Sequence, residues 1–235
     1  TSFGSVPRLF EKFYERISHI LAETSGVKRT LVDWARKVTL QYHLDLLNGR
    51  NPSTFQYEIA QKLVINKIKQ GLGFDRTRVF FVGASPLSID ILHFFLSLDI
   101  NLQQCYGMTE NSGIASIRGV WHKELESIGK PLPGVETKIL NPDADGIGEI
   151  CTRGRTTFKG YYNDVEKTKE AFDNDGWLCS GDLGYFDKDG YLFIFVWIKE
   201  LIITAGGENI PFLHIENLIK KECSAISNAF LIGDK

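Results

Sequence analysis

The stretch that decides the fold is residues 78–106, which reads RVFFVGASPLSIDILHFFLSLDINLQQCY. Its short apolar run at 78–82 predicts a buried strand, and the Gly-Ala-Ser-Pro sequence at 83–86 predicts a turn. Apolar residues recur at helical spacing over 88–98, which predicts a helix, and a second strand is expected near 101–105. This succession of strand, turn, helix and strand is typical of an α/β layered domain.

The first 75 residues are helical in pattern. An apolar stripe that follows Pro7 predicts a helix to about Leu21, because proline is favoured in the first helical turn. Two further helices are expected over 30–47 and 55–70, since each apolar pattern stops just before a glycine. The part of the chain before the first predicted strand is therefore expected to form helices that cover a sheet.

From Gly134 onward, short strands dominate the pattern. They are separated by acidic turns at 141–146, 173–176 and 187–190, whose Asp, Asn and Gly residues tolerate tight-turn conformations. We interpret residues 134–197 as a small antiparallel β-subdomain. The first of these turns matches half of an EF-hand calcium loop, but the glutamate that such a loop needs would fall on Thr152, which favours a simple hairpin turn.

Composition excludes several classes of protein. Lys and Arg number 27 against 29 Asp and Glu, a formal charge of −2, and no basic cluster points to nucleic acid. The best apolar run, 192–198, is far shorter than the ~18 residues of a membrane span, and residues 1–30 lack a signal-peptide pattern. Four cysteines stand tens of residues apart, so neither a disulfide framework nor a zinc site is expected. They are Cys105, Cys151, Cys179 and Cys223.

The residues that carry chemistry follow the second predicted strand, at 104–110 (QCYGMTE). Ligands of open α/β sheets bind at the carboxyl ends of strands. There Tyr106 could stack on a base, Thr109 could donate to a phosphate oxygen and Glu110 could hold Mg²⁺. The same residues are also compatible with a purely structural turn, in which Thr-x-x-Ser caps a helix. P-loop and Rossmann glycine motifs do not occur in the sequence.

Tyr-Gly-Met-Thr-Glu at 106–110 resembles the adenine and phosphate motif of the acyl-adenylate-forming superfamily, which comprises acyl-CoA synthetases, luciferases and peptide-synthetase adenylation domains. Further sequence blocks of that superfamily occur in this chain in the same order as in the superfamily. The block ITAGGENIP at 203–211 is most similar to bubblegum-type long-chain acyl-CoA synthetases. These further blocks are 83–88, 147–150, 160–164, 176–184 and 198–210. The resemblance covers essentially the whole chain.

The resemblance implies an α/β fold with part of the layered adenylate-forming large domain, its small antiparallel β-subdomain and the start of a small α+β C-terminal domain. The implied divisions are 1–133, 134–197 and 198–235. The resemblance implies that Thr109 and Glu110 are the catalytic residues and that Glu110 binds the metal ion. It also implies that Lys199 is the hinge between the large and small domains, and that Gly206 and Gly207 line the path of CoA. The implied ATP- or AMP-binding residues are Gly83, Ala84, Ser85, Gln104, Cys105, Tyr106, Gly107, Met108, Thr109 and Asp182.

The implied activity is ATP-dependent ligation of a long-chain fatty acid to CoA through an acyl-AMP intermediate, with Mg²⁺ as cofactor. Fatty acid, ATP and CoA are the expected partners, without nucleic acid, and no obligate protein partner can be inferred. We expect a cytoplasmic enzyme, and peripheral association with the endoplasmic reticulum or another membrane stays open.

Two departures from the superfamily pattern matter. Val196-Trp197 stands where the superfamily usually has Gly-Arg, so a planar, charged donor is missing. The phosphate loop and the late lysine of the superfamily are absent, and the chain begins with Thr1, so we expect a piece of a longer enzyme that is inactive alone. The alternatives are a catalytically dead relative or truncated product that acts as a binding module, and another adenylate-forming enzyme of the luciferase or aryl-acid ligase type.

Overall fold

The computed structural model describes most of the chain as two compact units, Thr1–Gly134 and Val135–Lys235. The described residues are 1–120, 122–197, 201–203, 209–211, 215–216, 218–219, 222–223, 226 and 229–232. Each unit has its own sheet, which confirms the mixed α/β class expected from the sequence.

The first unit is built on a five-stranded sheet in the order β1-β2-β3-β4-β5. Strands β1, β2 and β3 are parallel neighbours, and β4 and β5 continue the sheet in antiparallel fashion. The strands are β1 (Ser2–Ser5), β2 (Val79–Val82), β3 (Leu102–Tyr106), β4 (Ser116–Ile117) and β5 (Lys130–Pro131). The two strands predicted in the deciding stretch are confirmed, whereas β1 gives no sequence signal because its sequence, SFGS, contains a single large apolar residue.

Helices cover this sheet, as the apolar patterns predict. They are α1 (Pro7–Glu23), α2 (Gly26–Leu47), α3 (Thr54–Ala60), α4 (Asn66–Gly71) and α5 (Ile89–Leu96). The helix predicted over 55–70 is interrupted by a π-helical turn at Gln61–Ile65, and α2 begins four residues earlier than predicted. Within the described residues, no helix combines the length and apolar character needed to cross a membrane.

The core of the first unit lies between these helices and the sheet. Phe10 of α1 and Phe95 of α5 are completely buried, and their rings meet edge to face with centroids 5.6 Å apart. Such aromatic pairs add roughly 0.5–1.5 kcal/mol beyond their burial. The helical spacing of the apolar residues thus places both helices on one shared hydrophobic layer.

The second unit contains a four-stranded antiparallel sheet in the order β6-β7-β8-β9 and a two-stranded ribbon, β10-β11. Each acidic turn has the same internal geometry, because the first aspartate accepts hydrogen bonds from the backbone N–H groups two and four residues later. The strands are β6 (Val135–Leu140), β7 (Gly148–Gly154), β8 (Leu178–Phe186), β9 (Leu192–Trp197), β10 (Leu201–Ile203) and β11 (Asn209–Pro211). A short helix, α6 (Val165–Glu170), lies between β7 and β8. The interpretation of an antiparallel β-subdomain is confirmed.

A partly buried polar cluster joins helices of the first unit to the residues that follow α5. Asp99 accepts hydrogen bonds from Tyr57 and Lys69, each at 2.8 Å, and its carboxylate lies 2.8 Å from Nε2 of His43. Burial alone would raise the pKa of Asp99, but the hydrogen bonds from His43, Lys69 and Tyr57 outweigh it and hold that pKa below its ordinary value. Asp99 also has a φ of 60°, in the left-handed region.

We predict that Asp99→Asn lowers the free energy of unfolding by about 2–3 kcal/mol at neutral pH, because Lys69 is left mostly shielded from solvent without its counter-charge. Asparagine tolerates the left-handed conformation, so the change isolates the charge. A carboxyl whose pKa is depressed by folding stabilises the protein above its unfolded pKa of about 3.9 and loses that effect as the pH falls through the folded pKa.

The gap between the wild type and Asp99→Asn should therefore shrink as urea unfolding is repeated at lower pH. The control is Asp33→Asn, which breaks an exposed pair with Arg29 and should cost less than about 1 kcal/mol. A gap that stays constant down to the acid limit would contradict the role given to the Asp99 charge.

Candidate functional site

The parallel strands β1, β2 and β3 end side by side, since Val82 is the register partner of both Ser5 and Gln104. A cleft with a volume of about 320 Å³ opens at these ends. It is lined by Ser5, Val6, Phe81, Val82, Gly83, Ala84, Cys105, Tyr106, Gly107, Gly113 and Ile114. Two stretches selected from the sequence, the turn after β2 and the segment after β3, therefore meet in one cleft.

The loop after β2 forms one wall with its backbone. An added Cβ at Gly83 would lie 3.3 Å from the carbonyl oxygen of Cys105, so the two strand ends are in close contact. Ala84 follows with a φ of 84°, which is unusual for a residue that carries a Cβ. Backbone held in such a conformation is found preferentially at ligand sites, where the surrounding structure maintains it. Ser85 is an exposed neighbour in the same loop.

The side chain of Gln104 holds the loop after β2 in place through hydrogen bonds. Its side chain is buried, its Oε1 accepts a hydrogen bond of 3.2 Å from the N–H of Leu87, and its Nε2 donates one of 2.9 Å to the carbonyl of Leu125. The sequence assigned Gln104 to the nucleotide, whereas its described contacts are with the backbone. Its amide thus positions the loop over the end of β3.

The other wall comes from the segment that follows β3. Tyr106 is 6% exposed and Gly107 comes next, while Thr109 and Glu110 lie in a single 3₁₀ turn (Thr109–Asn111). Asn111 closes that turn, because its side-chain oxygen accepts a hydrogen bond from the N–H of Met108. The structural alternative left open by the sequence is thus present as well, although Asn111 rather than a Thr-x-x-Ser cap makes the contact.

The side chains that line the cleft are mostly apolar, and none of them is acidic or basic. Burial raises the pKa of the Cys105 thiol to about 11, so this side chain stays neutral near pH 7. On the segment after β4, the buried guanidinium of Arg118 donates to the carbonyls of Leu102 and His122, at 2.8 and 3.1 Å, and burial lowers its pKa to about 10. Arg118 was not found from the sequence because its role depends on carbonyls brought together by β3 and β4.

Asp182 lies in the second unit, on β8, where it is half-buried. Its backbone N–H donates to the hydroxyl of Ser180 at 3.1 Å, and the preceding N–H, of Gly181, donates to the carboxylate of Glu149 at 2.8 Å. Its register partner is Trp197, at the end of β9. Lys199, Gly206 and Gly207 lie outside the described residues.

The fold of this chain, with its cleft at the ends of parallel strands, is that of the adenylate-forming enzymes. The solved O-succinylbenzoate coenzyme A synthetase (MenE) from Bacillus subtilis, in complex with AMP, has a similar fold with a TM-score of 0.60 and 26% identity, over 83% of this chain and 37% of that one. The model of the AMP-binding enzyme family matches residues 1–162, and the chain belongs to that family.

Curated relatives agree along the whole chain. It is 48% identical to Long-chain-fatty-acid–CoA ligase ACSBG2 of Gallus gallus and 46% identical to Long-chain-fatty-acid–CoA ligase ACSBG1 of Homo sapiens, each over 235 residues. These matches confirm the resemblance to bubblegum-type long-chain acyl-CoA synthetases. The chain spans about a third of the length of these relatives, 31% and 32% respectively.

We predict that Gly107→Ala disrupts the cleft. An added Cβ would lie 1.6 Å from the carbonyl oxygen of Gly113, which is backbone and cannot move aside cheaply. The free energy of unfolding should fall by about 3 kcal/mol or more, the upper range for overpacking.

Gly119→Ala is the matched control, because nothing lies within 4 Å of an added Cβ there. Urea unfolding of both variants checks the prediction. Equal midpoints for the two variants would show that the approach of residues 107 and 113 is not required.

Proposed function

We propose that this chain carries the nucleoside-binding part of an ATP-dependent long-chain fatty acid:CoA ligase. The observation that carries the proposal is the cleft at the ends of three parallel strands, whose walls contain Gly83, Ala84, Tyr106 and Gly107. Ligands of α/β sheets bind at this edge, and the two ligase relatives match the chain across its whole length.

Each wall of the cleft has a proposed role toward ATP. The backbone of Gly83, Ala84 and Ser85 would follow the edge of the adenine, and the ring of Tyr106 would contact its face. Thr109, exposed at the start of the 3₁₀ turn, would donate to an α-phosphate oxygen. Asp182 would accept hydrogen bonds from the two ribose hydroxyls, which suit a carboxylate because charge-assisted bonds are roughly twice as strong as neutral ones.

The proposed reaction has two steps. In the first, a carboxylate oxygen of the fatty acid attacks the α-phosphorus of ATP, the bond to pyrophosphate breaks, and acyl-AMP forms. In the second, the sulfur of CoA attacks the acyl carbonyl and AMP leaves. Thr109 contributes by holding the α-phosphate, since donors placed where charge develops stabilise the transition state.

The half-exposed carboxylate of Glu110 fits the magnesium role. Mg²⁺ is commonly held by one or two carboxylates together with substrate phosphates and water, so a single glutamate beside the triphosphate is enough. When bound there, the ion would neutralise charge on the phosphates. Lys199 as the hinge and Gly206-Gly207 along the CoA path complete the proposal, together with a cytoplasmic location and peripheral contact with membranes that hold the substrate.

The test is ATP–pyrophosphate exchange by the longest gene product that contains these 235 residues, with oleate as the acid. Exchange that depends on oleate supports the ligase. The absence of exchange would overturn it and favour the alternative of an inactive binding module, which the departure at Val196-Trp197 motivates. The 235-residue chain alone, with ATP, Mg²⁺, CoA and palmitate, should form no measurable acyl-CoA.

We predict that Asp182→Asn raises the KM for ATP in this exchange assay about ten- to hundredfold. Loss of a hydrogen bond to a charged group costs about 1.5–3 kcal/mol, and each 1.4 kcal/mol is a factor of ten. The control is Asp189→Asn, an exposed turn residue of the same unit, which should leave KM unchanged.

A nucleotide without ribose hydroxyls separates a direct role of Asp182 from a structural one. The wild type should bind 2′,3′-dideoxy-ATP more weakly than ATP, while Asp182→Asn should no longer distinguish the two. A variant that loses affinity equally for both nucleotides would contradict contact with the ribose.

A further inference from the structure

Two cysteines that are 28 residues apart in sequence lie together in the second unit. Cys151 on β7 and Cys179 on β8 are register partners, and their Sγ atoms are 3.3 Å apart. Their wide spacing in the sequence did not indicate this proximity, because antiparallel pairing brings distant residues onto one face of the sheet. The carboxylate of Glu149, two residues before Cys151, completes a group whose three ligand atoms all lie within 4.8 Å of one another.

The surroundings of this group, burial first, disfavour bare thiolates. Burial, followed by the neighbouring thiol and by Glu149, raises the pKa of Cys151, and burial with Glu149 also raises that of Cys179. Lys138, the register partner of Cys151, acts in the opposite direction but is itself paired with Asp173 at 2.6 Å. The two thiols therefore hold their protons at neutral pH unless a metal ion replaces them.

We propose that Glu149, Cys151 and Cys179 bind a zinc-class divalent metal ion, which two thiolate sulfurs and one carboxylate oxygen would hold. Zinc bonds of about 2.3 Å to sulfur and about 2.1 Å to oxygen, in tetrahedral geometry, place the ligand atoms roughly 3.6–3.8 Å apart. The sulfurs need to separate by only a few tenths of an ångström to reach that spacing. Binding releases two protons, one from each thiol.

The site has a route for the ion and room for a fourth ligand. Cys151 is buried, whereas Cys179 and Glu149 are half-exposed, so water can reach the group from one side and complete the coordination. Oε1 of Glu149 accepts the hydrogen bond from Gly181, and a carboxylate has a second oxygen to offer. Three protein ligands plus water is the pattern of open zinc sites.

The three proposed ligands all belong to the sheet of the second unit. The test of this metal site needs no ligase activity, so its failure and the failure of the proposed function can be told apart. The 235-residue chain, freed of metal with a chelator and kept reduced with a phosphine, is titrated with Co²⁺. We expect saturation at one equivalent, with a sulfur-to-cobalt charge-transfer band and the visible bands of tetrahedral cobalt.

Addition of Zn²⁺ should displace the cobalt, bleach these bands and raise the melting temperature, because a ligand that binds the folded state stabilises it. Cys179→Ser should abolish the charge-transfer band at one equivalent. Glu149→Gln should keep some sulfur-to-cobalt absorption but weaken Zn²⁺ binding by roughly tenfold or more, since even outer-shell partners of a metal are worth 10–100-fold. Cys223→Ser, an exposed cysteine, is the matched control and should behave as the wild type.

Cys151→Ser tests the buried ligand, with circular dichroism to check that the variant is folded. If it unfolds, the half-exposed Cys179 still carries the test. The absence of the band in the reduced wild type, or a band that persists in Cys179→Ser, would overturn the proposal. So would mass spectrometry showing that the two cysteines form a disulfide under reducing conditions, because a disulfide offers no thiolate.

Discussion

The parallel pairing of β1, β2 and β3 is the constraint on which the rest of the first unit depends. Because Val82 is in register with both Ser5 and Gln104, three strands end at the same level and their loops must share one edge. The cleft follows from that alignment. It also explains why an amide at position 104 can support the loop after β2.

Two charged side chains in this unit, Arg118 and Asp99, are held by partners that the fold supplies. Arg118 is completely buried, and its guanidinium donates to the carbonyls of Leu102 and His122, while Asp99 is held by side chains from three helices. Burying such groups without partners would cost several kcal/mol each. The hydrogen bonds of Asp99 therefore connect helices to the segment after α5, and those of Arg118 connect β3 to the segment after β4.

In the second unit, local hydrogen bonds close the turns and strand pairing sets which side chains are neighbours on the sheet. Each acidic turn closes on its own aspartate, which accepts a hydrogen bond from the backbone N–H four residues later. On the four-stranded sheet, Lys138, Cys151 and Cys179 are successive register partners on β6, β7 and β8. Binding of a metal to that row would tie β7 to β8 near Gly181, whose N–H is already held by Glu149.

The sequence alone determined the α/β class, the strands around residues 80 and 104 and the acidic turns, because these features rest on local periodicity and turn chemistry. The motif from Tyr106 to Glu110 was selected through its resemblance to the adenylate-forming superfamily. The sequence did not indicate β1, the buried Arg118 or the thiol pair at 151 and 179. Those depend on partners far along the chain, and only the pairing of strands decides which partners meet. The supporting role of Gln104 has the same origin, since a polar residue at a strand end can face a ligand or the backbone, and tertiary packing selects between them.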